Sequence, residues 1–121
     1  MSARILIIED EKDLVELLEV RLNSLGYETI VAYDGKQGLE MARTEKPDLI
    51  ILDIMMPKLY GYDVCRFLKS DDEYRHIPII ILTVKDQEED KIIGKAVGAD
   101  EYITKPFDPA FLISKVQEHL K

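Results

Sequence analysis

The chain has 121 residues, of which 46% are hydrophobic and 33% charged, with only 6 glycines and 5 prolines. This length suits one compact domain, which we expect to span residues 1–121, and the composition is too apolar for a disordered chain. Acidic residues outnumber basic ones by 24 to 16, so the formal charge is -8 and the protein repels nucleic acids and anionic lipids. Direct binding of nucleic acid or membrane is therefore disfavoured.

Cysteine usage and the amino-terminal sequence indicate where the protein works. Cys65 is the single cysteine, so no intramolecular disulfide can form. The first apolar run covers only residues 5–8 before two acidic residues, which is too short for a signal peptide or a membrane span. We expect a soluble protein of a reducing compartment, the cytoplasm.

Five short apolar runs alternate with helical patterns along the chain. The predicted strands cover residues 4–8, 27–31, 49–52, 77–82 and 101–103. The first, third and fourth runs are apolar at successive positions and mostly β-branched, which is typical of strands buried on both faces of a parallel sheet.

The segments between the strands carry apolar residues at helical spacing. The first predicted helix ends at Gly26, and its apolar stripe is Leu14, Leu17, Leu18, Leu22 and Leu25. The second covers residues 36–45, and the third begins near Gly61 and places Cys65 in the core. The fourth begins near Asp86 and ends at Gly98, with an apolar side formed by Ile92, Ile93, Ala96 and Val97. The fifth opens with Asp108 as its cap and Pro109 at its first position.

Five strand–helix units in succession predict an α/β fold, a doubly wound parallel sheet with helices on both faces. In such sheets the ligand site lies beyond the carboxyl ends of the strands. The search for chemistry therefore narrows to the loops at that edge.

Charged and polar residues stand at these strand ends. Glu9 and Asp10 follow the first strand, Asp53 follows the third, Thr83 follows the fourth and Lys105 follows the fifth. Carboxylates gathered at one edge repel one another unless a cation lies among them, and hard oxygen ligands favour Mg²⁺ or Mn²⁺. The ammonium and the hydroxyl add donors suited to a phosphoryl group.

These residues resemble the signature of bacterial two-component response-regulator receiver domains, the CheY-like family. The resemblance covers the whole chain and is carried by Glu9-Asp10, by Leu-Asp-Ile-Met-Met-Pro at 52–57, by Thr83 and by Lys105-Pro106-Phe107. It implies a five-stranded, flavodoxin-like sheet in the order 2-1-3-4-5.

The resemblance implies that Asp53 is the phosphoacceptor. A sensor histidine kinase, a phosphotransfer protein or a small donor such as acetyl phosphate would supply the phosphoryl group, so the chain catalyses its own modification without being a turnover enzyme. Asp10, Asp53 and the backbone carbonyl of Met55 would hold the metal directly, and Glu9 would hold it through a water molecule.

By the same resemblance, Lys105 and Thr83 bind the phosphoryl oxygens, and a cis bond before Pro106 aims the lysine into the site. Tyr102 would act as a switch residue that enters space vacated by Thr83. The face formed by the fourth helix, the fifth strand and the fifth helix would then bind an effector domain or protein, or a second copy of the chain.

Three places depart from the family pattern. Residues 58–60 read Lys-Leu-Tyr where many relatives carry a small residue and an acid, and an effect on kinase docking and a neutral surface variation both remain open. Val84 follows Thr83 where small side chains are usual, and its branched side chain would crowd either the phosphoryl pocket or the inward path of Tyr102. Met55 and Lys85 flank the approach of a hydrolytic water, and since Met55 cannot orient one, we expect a long-lived phosphoryl state.

Three other functions are weighed against this interpretation. The first is a degenerate receiver that acts as a protein-interaction module without phosphorylation. A phosphohydrolase would need a second acid where Met55 stands, and a flavodoxin-like cofactor binder would need a phosphate loop where Glu9, Asp10 and Glu11 would repel phosphate. The chain ends directly after the fifth helix, so both a stand-alone receiver and one excised from a longer protein remain open.

Several other residues invite a functional interpretation. His76 and His119 suggest a metal or phosphohistidine site, but their positions favour structural roles. Tyr60, Tyr62 and Tyr74 lie near the third helix at no fixed period, so we interpret them as scattered, half-buried side chains. Asp53 and Thr83 are residue types that suit helix capping, but Asp53 lies too far before the third helix, and a phosphoryl role is favoured for Thr83.

Overall fold

The structure, a computed structural model, describes residues 2–56 and 58–121. Five parallel strands form one sheet in the order β2-β1-β3-β4-β5. The strands are β1 Arg4–Ile8, β2 Glu28–Ala32, β3 Leu49–Leu52, β4 Ile79–Thr83 and β5 Glu101–Thr104. The helices are α1 Lys12–Ser24, α2 Gly35–Glu45, α3 Gly61–Lys69, α4 Glu88–Ala96 and α5 Pro109–His119. The doubly wound, flavodoxin-like fold predicted from the sequence is confirmed.

Strands β2 and β4 begin later than the sequence predicts, because a backbone N–H at each predicted start takes part in a turn. The N–H of Ile77 donates to the carbonyl of Tyr74 at 3.0 Å, so this residue closes the α3–β4 connection and β4 begins at Ile79 instead of residue 77. The N–H of Tyr27 donates to the carbonyl of Leu22 at 3.1 Å, which ends α1 and delays β2 by one residue.

The core lies on both faces of the sheet because side chains alternate along each strand. Ile5 and Ile7 face a cluster that α1 and α5 cover, whereas Leu6 and Ile8 face a cluster that α2 and α3 cover. Strands β1, β3 and β4 are buried throughout, apart from a partly exposed Arg4, as predicted from their continuous apolar runs. Cys65 is fully buried in the second cluster, which confirms its predicted place in the core.

The apolar stripe of α1 is narrower than its leucine content predicts. Leu14, Leu18 and Leu22 are buried at intervals of four residues, and Val15 is buried beside them. Leu17 is 39% exposed and Leu25 is 48% exposed, so their predicted inward positions were wrong.

The predicted apolar side of α4 was wrong for Ile92, Ile93 and Ala96, which are exposed, whereas Val97 is partly buried and packs against the core. Ile92 and Ile93 are 62% and 43% exposed, and α4 begins at Glu88 instead of residue 86. The inner face consists of Asp90 and Gly94. A Cβ atom at residue 94 would lie 2.7 Å from Cδ2 of Tyr102, so the glycine lets α4 approach β5 closely.

Among the described residues no helix has the length and apolar content that crossing a membrane requires.

We expect Leu18→Ala to lower the free energy of unfolding by about 2–5 kcal/mol, because it leaves a cavity in the core beneath α1. The neighbouring Leu17→Ala makes the same chemical change on the exposed side and should cost less than about 1 kcal/mol. Urea denaturation followed by circular dichroism measures both values. Equal losses in the two variants would contradict this packing of α1.

Candidate functional site

The four strand ends that the sequence singled out meet at one edge of the sheet. Glu9 follows β1, Asp53 follows β3, Thr83 is the last residue of β4 and Lys105 follows β5. The N–H of Asp53 donates to the carbonyl of Ile8 at 3.0 Å, and the N–H of Lys105 donates to the carbonyl of Thr83 at 2.7 Å. The parallel ladder therefore extends into the site and fixes where these side chains begin.

Lys105 joins the acidic groups of two neighbouring strand ends. Its Nζ lies 2.7 Å from Oε1 of Glu9 and 3.3 Å from Oδ2 of Asp53. Glu11, an exposed residue, places Oε2 at 3.8 Å from the same ammonium. Because the side chains of Lys105, Glu9 and Asp53 are only 13%, 3% and 9% exposed, the attractions among these three act with little solvent screening.

Burial and charge act in opposite directions on the pKa values of this ion pair. Burial raises the pKa of Glu9, and this effect outweighs the hydrogen bond from Lys105. Burial by itself would lower the pKa of Lys105, but the hydrogen bond to Glu9 and the charge of Asp53 raise it. The ammonium therefore stays charged, and it faces two buried carboxyl groups and the exposed Glu11.

The donor set fits a hard divalent cation. Glu9, Asp10 and Asp53 each offer one carboxylate oxygen, and these oxygens lie within 4.8 Å of one another. Oε2 of Glu9 accepts hydrogen bonds from the N–H groups of Asp10 and Glu11, both at 3.1 Å. Glu9 is thereby held in place by the backbone, while Asp10 is exposed. Oxygen-only ligands and open positions are what Mg²⁺ requires.

Both carboxylate oxygens of Asp53 have partners. Oδ1 accepts a hydrogen bond from the N–H of Met55 at 2.9 Å, and Oδ2 faces the ammonium of Lys105. The Met55 side chain is 50% exposed and supplies no polar atom near this carboxylate. Pro57, the last residue of the motif that carried the resemblance, lies outside the described residues.

Thr83 and Val84 face different environments. Thr83 is fully buried, and its Oγ1 lies 3.5 Å from the N–H of Lys85. Val84 is 58% exposed and lines an open groove with Leu14, Leu17 and Lys105. Its branched side chain therefore borders the entrance to the site and is not packed beneath the threonine.

Tyr102 is half-buried, and its hydroxyl lies next to the segment that follows Thr83. It donates a hydrogen bond to the carbonyl of Lys85 at 2.9 Å, and its oxygen lies 3.3 Å from the hydroxyl oxygen of Tyr62. The peptide bond between Lys105 and Pro106 is cis.

Neither Asp53 nor Thr83 caps a helix, as the sequence indicated, because Tyr60 and Gln87 occupy the N-cap positions of α3 and α4. Asp108 does cap α5, through a hydrogen bond from the N–H of Ala110.

Lys58 and Tyr62 have surroundings that the sequence did not predict. Lys58, in the loop that departs from the family pattern, lies 3.5 Å from the carboxylate of Asp34, which caps α2. Tyr62 is 4% exposed, in contrast to its predicted half-buried state. Its place directly after Gly61, on the apolar face of α3, is the sequence signal that identifies it as buried. Of the histidines, His119 contacts Glu101 at 3.2 Å.

A family model described as "Response regulator receiver domain" matches residues 5–117. The chain is also similar to the alkaline phosphatase synthesis transcriptional regulatory protein PhoP of Bacillus subtilis (strain 168), with 46% identity over 121 residues. The alignment covers 100% of this chain and 50% of that protein, so the chain spans about half the length of the curated relative it matches.

Solved structures with similar folds include a response regulator and the receiver domain of a histidine kinase. A putative response regulator from Chloroflexus aurantiacus J-10-fl has a TM-score of 0.92 at 32% identity, over 99% of this chain and 98% of that chain. The signal receiver domain of a signal transduction histidine kinase from Syntrophus aciditrophicus has a TM-score of 0.91 at 37% identity, over 98% and 90% of the two chains.

We expect Lys105→Met to lower the free energy of unfolding by about 3 kcal/mol near neutral pH without divalent cations, because Glu9 and Asp53 lose their shared counter-charge. Since burial already raises the pKa of Glu9, the stability that its protonation contributes is present below the ordinary value of 4.5 and is lost as pH rises through the raised value. Lys105→Met removes a hydrogen bond that lowers this pKa. The deficit should therefore shrink towards about pH 5.

Urea denaturation at several pH values measures this difference. Lys115→Met is the matched control, because Lys115 pairs with Glu101 at 3.7 Å where both side chains are 25% exposed, and the pair should contribute less than about 1 kcal/mol. A pH-independent deficit for Lys105→Met, or one no larger than that of the control, would contradict the charge balance described above.

Proposed function

The chain belongs to the response-regulator receiver domain family, and on that premise we propose that it accepts a phosphoryl group on Asp53 in a two-component phosphorelay. The observation that carries the proposal is the set of three acidic side chains whose oxygens lie within 4.8 Å, with the Lys105 ammonium 3.3 Å from Asp53. This arrangement combines a nucleophile, ligands for a cation and a positive group for phosphoryl oxygens.

Asp10, Asp53 and the backbone carbonyl of Met55 would hold Mg²⁺, or Mn²⁺, and Glu9 would hold it through a water molecule. When bound, the cation neutralises negative charge on the transferring phosphoryl group. Asp10 suits direct coordination because it is exposed, whereas both oxygens of Glu9 are already bonded to Lys105 and to backbone N–H groups.

The chemical step forms one bond and breaks another. A carboxylate oxygen of Asp53 attacks the phosphorus, and the bond from phosphorus to the donor's histidine nitrogen breaks; with acetyl phosphate, a phosphorus–oxygen bond breaks instead. The leaving group keeps the electron pair of that bond. Lys105, already beside Oδ2, pairs with the phosphoryl oxygens as they reach Asp53, and the Thr83 hydroxyl donates to one of them.

A movement of Thr83 would carry the signal from Asp53 to the surface that binds a partner. Its movement towards the phosphoryl group would free space for Tyr102 and shift the population of conformations on the surface of α4, β5 and α5. A partner that binds one of these conformations more tightly would read the signal, whether it is an effector domain, a separate protein or a second copy of the chain. The donor would be a sensor histidine kinase or a phosphotransfer protein, and we place the exchange in the cytoplasm, where the free thiol of Cys65 is stable.

We expect acetyl phosphate with Mg²⁺ to add one phosphoryl group to the chain and none to Asp53→Asn, because the amide cannot serve as the nucleophile. Intact-mass spectrometry after a rapid acid quench measures the adduct. Asp48→Asn is the matched control, since Asp48 is exposed at the opposite end of β3 and its variant should be phosphorylated normally.

Omission of Mg²⁺ should abolish the adduct in the unmodified chain. Absence of any adduct while Mg²⁺ binding is demonstrated would refute the proposal and favour a receiver that acts without phosphorylation.

We expect Met55→Asn to speed hydrolysis of the aspartyl phosphate by about tenfold, because an amide at this exposed position can orient a water molecule beside Asp53. Met55→Leu is the control, since it keeps an apolar side chain and should leave the phosphoryl lifetime unchanged. Adduct decay followed by mass spectrometry gives both rates. A lifetime of seconds in the unmodified chain that Met55→Asn leaves unaltered would show that this position does not limit hydrolysis.

A further inference from the structure

Tyr62 reaches from α3 across to α4. Its side chain is 4% exposed, and its hydroxyl donates a hydrogen bond to the backbone carbonyl of Asp90 at 2.8 Å. Its oxygen also lies 3.3 Å from the hydroxyl oxygen of Tyr102 on β5. The Tyr62 hydroxyl therefore contacts both α4 and Tyr102, the residue that would respond to phosphorylation.

Each of the two phenols has a backbone carbonyl to which it can donate its proton. Each hydroxyl carries one proton, and burial raises the pKa of both Tyr62 and Tyr102, so both remain protonated. Tyr62 donates to Asp90, and Tyr102 donates to the carbonyl of Lys85 at 2.9 Å. Either hydroxyl can donate across the 3.3 Å contact between the two oxygens, so Tyr62 can accept from Tyr102 while its own proton is on the carbonyl of Asp90.

The two carbonyls belong to one stretch of chain. Lys85 lies in the loop after β4, and Asp90 lies in the first turns of α4. The N–H of Lys85 is 3.5 Å from Oγ1 of Thr83, so a displacement of that threonine moves the loop and its carbonyl. Tyr102 packs its ring against Gly94 on the same helix. The loop after β4 is thus hydrogen-bonded to Tyr102 on β5, and α4 is hydrogen-bonded to Tyr62 on α3.

A moving Lys85 carbonyl would leave the Tyr102 hydroxyl without an acceptor, and an unsatisfied buried hydroxyl is costly. Tyr62 removes that cost, because its free lone pair lies within reach of the Tyr102 proton while its own proton stays on Asp90. The chain Tyr102 to Tyr62 to Asp90 then links β5 directly to α4.

We propose that Tyr62 is a positioning residue for the conformational switch: its hydroxyl holds α4 and supplies the alternative partner that lets Tyr102 release Lys85. This inference rests on the proposed function, since it concerns how the state of Asp53 reaches α4. It predicts that removal of one oxygen atom, which contacts Asp90 and Tyr102, uncouples phosphoryl binding from the helix surface.

The test compares Asp53 loading with the response of α4 in the same variants. Loading is measured as the adduct formed from acetyl phosphate with Mg²⁺. The response of α4 is measured by hydrogen–deuterium exchange of the amides of residues 88–96, with and without Mg²⁺ and beryllium trifluoride as a stable phosphoryl mimic. Tyr62→Phe should load normally, while the change in α4 exchange on loading falls by about fivefold or more.

Tyr60→Phe is the matched control. Its ring packs edge-on against Tyr62 with centroids 5.2 Å apart, and the ring is 44% exposed, so loss of its hydroxyl should leave both measurements unchanged. Tyr102→Phe removes the other phenol and should weaken the same response. The double variant Tyr62→Phe, Tyr102→Phe should show no further loss, because the two hydroxyls act as one link.

Each outcome separates the two claims. A full α4 response in Tyr62→Phe, an equal loss in Tyr60→Phe, or additive losses in the double variant would overturn the role of Tyr62 while loading of Asp53 remains intact. Failure of the unmodified chain to load would instead overturn the proposed function, and the inference with it.

Discussion

The ion pair of Lys105 with Glu9 and Asp53 is the interaction on which the site depends. Three strands contribute to it, so β1, β3 and β5 must be in the right register for the ammonium to lie 2.7 Å from one carboxylate and 3.3 Å from the other. The buried apolar residues of β1 and β3 set the register of these two strands. The buried carboxylates are tolerated at this edge because the Lys105 ammonium lies beside both of them. The acidic cluster also fits a second, divalent cation.

The same edge connects the acidic cluster to the surface of α4. The carbonyl of Thr83 accepts the N–H of Lys105, and the loop after it presents the carbonyl that Tyr102 binds. Gly94 lets α4 lie against the ring of Tyr102. Since Asp90 and Gly94 form the inner face of the helix, Ile92 and Ile93 are exposed on its surface. Residues 83–96 therefore connect the acidic cluster, through Thr83 and the Lys85 carbonyl, to the surface of α4.

Sequence patterns predicted the sheet well and the helix faces less well. Continuous apolar runs identify β1, β3 and β4 because both faces of a central parallel strand are buried. Leu17 and Ile92 were assigned to the core because hydrophobicity by itself does not say which of two adjacent helical positions meets the sheet. The start of β4 was missed because Ile77 is apolar and buried yet gives its N–H to a turn.

The sequence by itself determined the α/β class and the identity of the strand-end groups, because periodicity marks the strands and parallel strands deliver their carboxyl ends to one edge. It also carried the family signature, which includes Asp53 and Lys105. Only the tertiary structure decided the partners of those groups and the contacts of Tyr62, whose hydroxyl meets residues 28 and 40 positions away. Such contacts depend on helix packing across the sheet, which no local pattern encodes.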